Sequence, residues 1–262
     1  MKISTKILMP KKLKVVFLFF VSFATLTFCT TFFPGGGSSR NQSEETMVFS
    51  TQVNPGGASI EIVFEKGRAF NHPLMAIWVE DLDGNYVQTL YVARSIAKGY
   101  YRHGDASSGR WMPGPLRRPA ALPYWGHKRG VQAEDGLFMP SKNQPLEDAI
   151  TGATPKTRFR LQTQTPKPEK RKFNVLFEIN QSWDWNHHWH NNKYPDDTEY
   201  KTSAQPAVVY MATVDLDHDI KNYPMTVIGH SHWSGANGKL FEDLSTLTTA
   251  LNIARSISVR IP

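Results

Sequence analysis

One short segment of the chain places a hydroxyl group among small residues, as a site of covalent modification does. The segment is Asp148-Ala-Ile-Thr-Gly-Ala-Thr154, and it is followed directly by Pro155. Gly152 and Ala153 put little bulk beside the last threonine, and a glycine is free to adopt the backbone angles of a tight turn. A threonine hydroxyl is a weak nucleophile, so forming an ester on Thr154 requires a separate enzyme that supplies the base.

The segment fits the pattern Asp-x-x-(Ser/Thr)-Gly-Ala-Thr, on which bacterial transferases esterify flavin mononucleotide (FMN) to the final threonine. Thr154 is therefore the predicted FMN attachment point. The expected roles of Asp148, Thr151 and Gly152 are to shape the turn or to contact the transferase. The alternative is a purely structural turn, because Thr-Gly-Ala-Thr before a proline is also favourable turn chemistry. The chain departs from the acceptor pattern downstream, where Pro155-Lys156 precedes the next hydroxyl residue.

Two groups of histidines form the second set of residues that could carry chemistry. His187, His188 and His190 follow a tryptophan-rich stretch, and His230 and His232 lie on a later segment. Imidazole nitrogens are ligands for zinc and copper, so these residues predict a metal site built from two loops. Neither a helical His-x-x-x-His spacing nor a cysteine pair accompanies them, so this is the weaker prediction.

The elements that must position these residues are short strands. Runs rich in β-branched and aromatic residues are separated by Gly, Pro and Asn, and they predict strands at residues 47–53, 59–64, 74–79, 86–92, 173–179, 207–214, 225–228 and 257–261. Asp83-Gly-Asn85 predicts a hairpin turn, and residues 244–254 are the one fair helical candidate. The pattern predicts an all-β fold, an antiparallel immunoglobulin-like or jelly-roll β-sandwich with long loops and at most one short helix.

A long insertion at residues 94–145 interrupts the strand pattern. It is poorly periodic, but its rings are more numerous than a disordered segment normally carries: Tyr100, Tyr101, Trp111, Tyr124 and Trp125. Long irregular segments inside a compact domain tend to be functional, so we expect loops of the insertion to surround an attached flavin ring.

The N-terminal residues have the composition of a targeting segment. Residues 1–33 begin with lysines and continue as an apolar run, which predicts a signal peptide or an N-terminal membrane anchor. Cys29, the single cysteine, lies at the end of that run, where a lipid could be attached. Residues 34–46 form a flexible linker rich in Gly and Ser, and residues 47–262 form the folded domain. The domain is expected outside the cytoplasm, in the periplasm or cell envelope, either secreted or held at the membrane by the N-terminal segment.

Composition argues against two classes of function. The formal net charge is +7, but five of the positive charges are lysines of the targeting segment. The remaining basic runs, such as Arg117-Arg118, carry no motif of a nucleic-acid-binding module and are interpreted as solvated charges. A nucleophile elbow, a phosphate-binding loop and a dinucleotide fingerprint are all absent from the sequence, so we do not expect substrate turnover by this chain.

Several segments taken together resemble an exported bacterial family, domain of unknown function 2271 (DUF2271). They are residues 77–90, 148–155, 180–186, 205–210, 227–232 and 244–250. The resemblance extends from about residue 47 to the C-terminus. It implies an extracytoplasmic β-sandwich that acts alongside flavin transferases and membrane redox proteins.

The expected function is therefore that of a redox accessory, which carries covalent FMN on Thr154 for electron transfer. The alternative is a non-catalytic binding or assembly module of the cell envelope. A third and weaker hypothesis is a metal-binding protein that uses the histidines.

Overall fold

The computed structural model describes residues 45–51, 56–147, 150–166 and 171–262. The predicted targeting segment, all but the end of the predicted linker, and Asp148 lie outside the described residues. Within the described part of the chain, thirteen strands and three short helices form an all-β sandwich, which confirms the predicted fold class. The sequence predicted at most one short helix, so the helix count was too low. None of the helices in these ranges is long and apolar enough to cross a bilayer.

The observed strands are β1 Met47–Ser50, β2 Ser59–Lys66, β3 Leu74–Glu80, β4 Tyr86–Ala93, β5 Tyr100–Asp105, β6 Met112–Pro115, β7 Thr151–Gly152, β8 Phe159–Gln164, β9 Lys172–Asn180, β10 Val208–Asp215, β11 Asn222–Pro224, β12 Thr226–His230 and β13 Ala254–Arg260. The helices are α1 Arg94–Lys98, α2 Pro123–Arg129 and α3 Tyr200–Ser203, and Ala250–Asn252 form a 3-10 turn. Each of the eight predicted strands overlaps an observed one. The structure adds β5, β6, β7, β8 and β11.

Two sheets pack face to face. One has the strand order β1-β8-β2-β13-β11, the other has the order β12-β10-β9-β3-β4-β7, and β5 pairs with β6 as a separate hairpin. Most pairings are antiparallel, as predicted, but β1 pairs with β8 and β4 pairs with β7 in parallel. A parallel pair needs a long crossover connection, and the insertion at residues 94–145 is part of the connection between β4 and β7.

The core lies between the two sheets. It is built from alternate residues of each strand, as the period of a β-strand requires. At its centre the Phe64 ring stacks on Phe159 and on Phe177, with ring centroids 4.9 and 5.9 Å apart. The side chains of β2, β8 and β9 therefore hold the sheets together from both sides.

The outer face of the six-stranded sheet is covered by the insertion. Trp78 and Leu176 of the sheet pack beneath Ile96 of α1 and Trp125 of α2, all of them buried. The Trp125 indole N–H donates to the Thr89 hydroxyl across 2.9 Å. Because β3 and β9 are buried on both faces, they appear in the sequence as continuous apolar runs.

The helix predicted at residues 244–254 is not present. The segment contains only the 3-10 turn, and β13 begins at Ala254. Gln205 explains the difference, because its side-chain carbonyl accepts the backbone N–H of Thr248 at 2.7 Å and its amide donates to the Thr249 hydroxyl. Long-range hydrogen bonds to Gln205 thus engage the Thr248 N–H and the Thr249 hydroxyl, and these bonds compete with the local hydrogen bonds of a helix.

Candidate functional site

Thr154 lies in the loop that joins β7 to β8. Strand β7 is the edge of the six-stranded sheet, and β8 lies beside β1, the edge of the other sheet. Thr151 and Gly152 pair with Val92 and Ala93 of β4, which anchors the beginning of the motif. Thr151 is buried, Ala153 is exposed and Thr154 is half-buried. The motif therefore leaves the sheet at Gly152, and its last threonine lies in a loop at the side of the sandwich.

Tyr91 fixes the conformation of this loop. Its hydroxyl donates to the backbone carbonyls of Gly152 and Ala153, at 3.3 and 3.1 Å. A Cβ atom on Gly152 would lie 2.8 Å from a carbon of the Tyr91 ring. Gly152 is not in the left-handed region, so the close approach of the ring, rather than backbone freedom, is the reason for a glycine here.

Aromatic and apolar side chains continue from Tyr91 toward β1. The Phe49 ring lies 5.4 Å from Tyr91 and 5.5 Å from Phe159. On the same strand Met47 and Val48 are 38% and 57% exposed, although both are large and apolar. The Met47 N–H donates to the Arg158 carbonyl, so this exposed strip adjoins the end of the Thr154 loop.

The electrostatics of the loop depend on Tyr91 and Arg94. Burial raises the pKa of the Tyr91 phenol, and the nearby Arg94 guanidinium opposes that rise. The phenol therefore stays protonated near neutral pH and keeps donating to the motif carbonyls. Arg94 itself is exposed.

Two tryptophans belong to the insertion whose loops we expect around an attached flavin. Trp125 is buried within α2, while Trp111 lies at the β5–β6 turn with 61% of its surface exposed. A ring that does contact the motif is that of Tyr91. This neighbour is about sixty residues away in sequence and was not predicted as part of the site.

The five histidines of the predicted metal site are distributed around one aromatic cluster. His188 and His230 have ring centroids 5.0 and 6.3 Å from the Trp189 ring, and His232 stacks on Trp233 at 4.0 Å. His187 and His190 are exposed in the loop after β9.

Hydrogen bonds already engage several of these imidazoles. His188 Nε2 contacts the Lys193 ammonium at 2.5 Å, His230 Nδ1 contacts the Ser231 carbonyl at 2.8 Å, and His232 Nδ1 accepts the Ser234 N–H at 3.2 Å. Across the described ranges, no three His, Cys, Asp or Glu side chains are grouped so that they could hold a metal ion. Metal binding at these histidines stays a prediction that this arrangement does not support.

Sequence reasoning missed a second distinctive group, centred on Arg118. Its guanidinium lies between the rings of Tyr101 and Trp183, at 5.2 and 5.0 Å from their centroids, and it donates to the Ser182 hydroxyl. Arg118 is only 9% exposed, so its interpretation as part of a solvated charge run is wrong. Trp183 has a φ of 56°, which is unfavourable for a bulky residue, and yet 55% of its surface is exposed.

Comparison of the chain with protein-family models, with curated proteins and with solved structures finds no match.

Proposed function

We propose that this protein is an extracytoplasmic redox accessory that carries FMN as an ester on Thr154. One observation carries the proposal: the motif leaves the sheet edge as a loop whose first residues are fixed by Tyr91, while Thr154 lies beyond them and is half-buried rather than packed in the core. The resemblance to DUF2271 supports the same setting, with a flavin transferase and membrane redox proteins as partners. The protein acts as a carrier and does not turn over a substrate.

The attachment step balances with a flavin dinucleotide as the donor. The transferase removes the proton from Thr154 Oγ, the oxygen attacks the phosphorus of the FMN half, and the diphosphate bond breaks. The products are a threonine phosphodiester and adenosine monophosphate, which leaves with the displaced oxygen. The chain itself has only to present the hydroxyl, and Thr154 Oγ has no hydrogen-bond partner among the described residues that would compete for it.

The residues around the loop fit an attached flavin. FMN supplies electron uptake and release when it is bound. The Tyr91 hydroxyl bonds to the backbone from which the attached FMN would extend, and the Phe49 ring packs against Tyr91. The exposed Met47 side chain, which lies on the same face of β1 as Phe49, offers apolar surface to a flat ring, and covering it would remove a large apolar side chain from water.

Intact mass tests this function. The full chain, co-produced with a flavin transferase, is expected to gain the mass of one FMN less one water molecule. Thr154→Ala is expected to lose this gain entirely, because no other hydroxyl occupies the acceptor position of the motif.

Thr157→Ala serves as the matched control. Its hydroxyl lies three residues further along the same loop and donates to the Glu45 carbonyl. We expect this variant to be modified as the natural chain is. An unmodified natural chain, or full modification of Thr154→Ala, would show that the proposal is wrong.

The Arg118 group favours a second candidate function, a non-catalytic binding module of the cell envelope. A strained tryptophan that is more than half exposed, stacked on a buried arginine, is a surface prepared for stacking on a flat ligand. Sugar rings are such ligands in an envelope.

Titration with oligomers of N-acetylglucosamine, followed by nuclear magnetic resonance, tests this candidate. The Trp183 indole signal is expected to shift, and Trp183→Ala is expected to lower the affinity at least tenfold. Trp111→Ala removes another exposed tryptophan, at the turn of the β5–β6 hairpin, and should leave binding unchanged. Equal effects of the two substitutions would exclude Trp183 as the site.

A further inference from the structure

The position of Arg94 relative to Thr154 follows from the register of the two edge strands. Val92 pairs with Thr151 and Ala93 with Gly152, in parallel. Arg94 is therefore the first residue past the pairing on β4, as Ala153 is on β7. Neighbouring strands lie about 5 Å apart, so the backbone of Arg94 is close to the residue that precedes Thr154.

The Arg94 side chain carries a positive charge close to the motif loop. It is exposed, and it forms no ion pair with any residue that the structure describes. Its charge nevertheless acts on the Tyr91 hydroxyl, the same group that donates to the Gly152 and Ala153 carbonyls. The guanidinium is thus within electrostatic reach of that hydroxyl.

We propose that Arg94 binds the phosphate of the flavin nucleotide attached to Thr154. This inference rests on the proposed function, because it concerns the group which that function places there. The phosphodiester keeps one negative charge and two free oxygens, and a guanidinium can donate to both oxygens at once. Such a contact would limit rotation about the tether and hold the ring near the exposed Met47 side chain.

Lys156 is the competing cation. It is exposed two residues beyond Thr154 on the same loop. An ammonium on a flexible stem is a point charge and selects no orientation of the two oxygens, whereas the planar guanidinium does. The β4–β7 register places Arg94 beside Ala153, the residue before Thr154, so the planar guanidinium is the ligand that we infer.

Two measurements on the full, FMN-bearing chain test the role of Arg94. The first is the phosphorus resonance of the phosphodiester, and the second is the fluorescence anisotropy of the flavin. Arg94→Gln is expected to shift the resonance and to lower the anisotropy toward that of a freely rotating flavin. Arg94→Lys should retain part of both signals, since it keeps the positive charge but loses the planar guanidinium that donates to two oxygens at once. Arg255→Gln, which removes an exposed cation from β13, should change neither.

The possible outcomes distinguish the role of Arg94 from the attachment of FMN to Thr154. If FMN is attached and Arg94→Gln behaves like Arg255→Gln in both measurements, the role of Arg94 is overturned and the attachment to Thr154 stands. If Lys156→Gln produces the changes instead, Lys156 is the phosphate ligand and the assignment is wrong. If the natural chain gains no mass at all, both proposals fail together. Arg94→Lys keeps the test interpretable should Arg94→Gln fold poorly.

Discussion

Replacing Glu178 with Gln is expected to remove the largest fall in the stability of this protein as the pH rises from about 5 to about 8. Glu178 is fully buried in β9, and its two carboxyl oxygens accept the backbone N–H groups of Tyr124 and Trp125 at 3.2 and 2.7 Å. It thus satisfies donors at the beginning of α2 that would otherwise lack partners.

The direction of the effect follows from the pKa of Glu178. Burial raises this pKa from 4.5 to about 8, although the two N–H donors oppose the rise. Between these values the unfolded chain has lost the proton and the folded chain keeps it, so the free energy of unfolding falls as the pH rises. Above about pH 8 the loss is complete. It amounts to roughly 5 kcal/mol, since each pKa unit corresponds to about 1.4 kcal/mol.

Chemical denaturation of the natural chain and of Glu178→Gln at several pH values measures this effect. The variant loses one acceptor and is expected to be less stable by about 1–2 kcal/mol near pH 5. Near pH 8.5 it should match or exceed the natural chain. Two opposing slopes remain in the variant. Burial also raises the pKa values of Glu80 and Asp184, which lowers stability as the pH rises, whereas burial lowers the pKa values of His230 and His232, which raises stability as the pH rises.

Glu242 provides the control for this comparison. Its carboxylate is exposed, so Glu242→Gln should keep the slope of the natural chain. If Glu178→Gln kept that slope as well, the account of a protonated, buried Glu178 would be wrong.

Gly152→Ala is expected to destabilise the fold by about 1–3 kcal/mol, the usual range for an added methyl group in a packed site. The new Cβ would lie 2.8 Å from the Tyr91 ring, so either the ring or the loop must move. Because the Tyr91 hydroxyl holds the Gly152 and Ala153 carbonyls, movement of either partner displaces the motif. We therefore expect slower attachment of FMN to Thr154 as well.

A double-mutant cycle isolates the contact. Gly152→Ala is compared in the natural chain and in a Tyr91→Ala background, by denaturation and by the rate of FMN addition. Without the ring the added methyl group should have little effect on stability. An equal loss in both backgrounds would show that the ring contact is not the reason for a glycine at position 152.

The strands could be predicted wherever their sequences are apolar runs or alternate clearly. Strands β3 and β9 are apolar because both of their faces are buried. Strand β8 was missed although buried Phe159 and Leu161 alternate with exposed Arg160 and Gln162, so its pattern was present in the sequence. Strand β7 was missed because two residues carry no period. The parallel pairings were missed since they join segments far apart in the chain, which no local pattern records.

The residues of the candidate site likewise fall into those that a local sequence pattern indicates and those that only the fold brings together. The motif pointed to Thr154 because the pattern of small residues and hydroxyl groups is local. Tyr91 and Arg94 could not be predicted, since only the β4–β7 pairing brings them to the motif. Arg118 was wrongly interpreted as a solvated charge, because it is one of two adjacent arginines in the sequence. Only the fold shows that its guanidinium is buried between two aromatic rings.

Fragment masses of the protease-digested, flavin-bearing chain test the central claim most directly. We predict that the adduct lies on the peptide containing Thr154, and that fragmentation places it on that residue rather than on Thr151, which is buried in β7, or on Thr157. An adduct on either of those hydroxyls, or an unmodified peptide from a chain produced with an active transferase, would contradict the account.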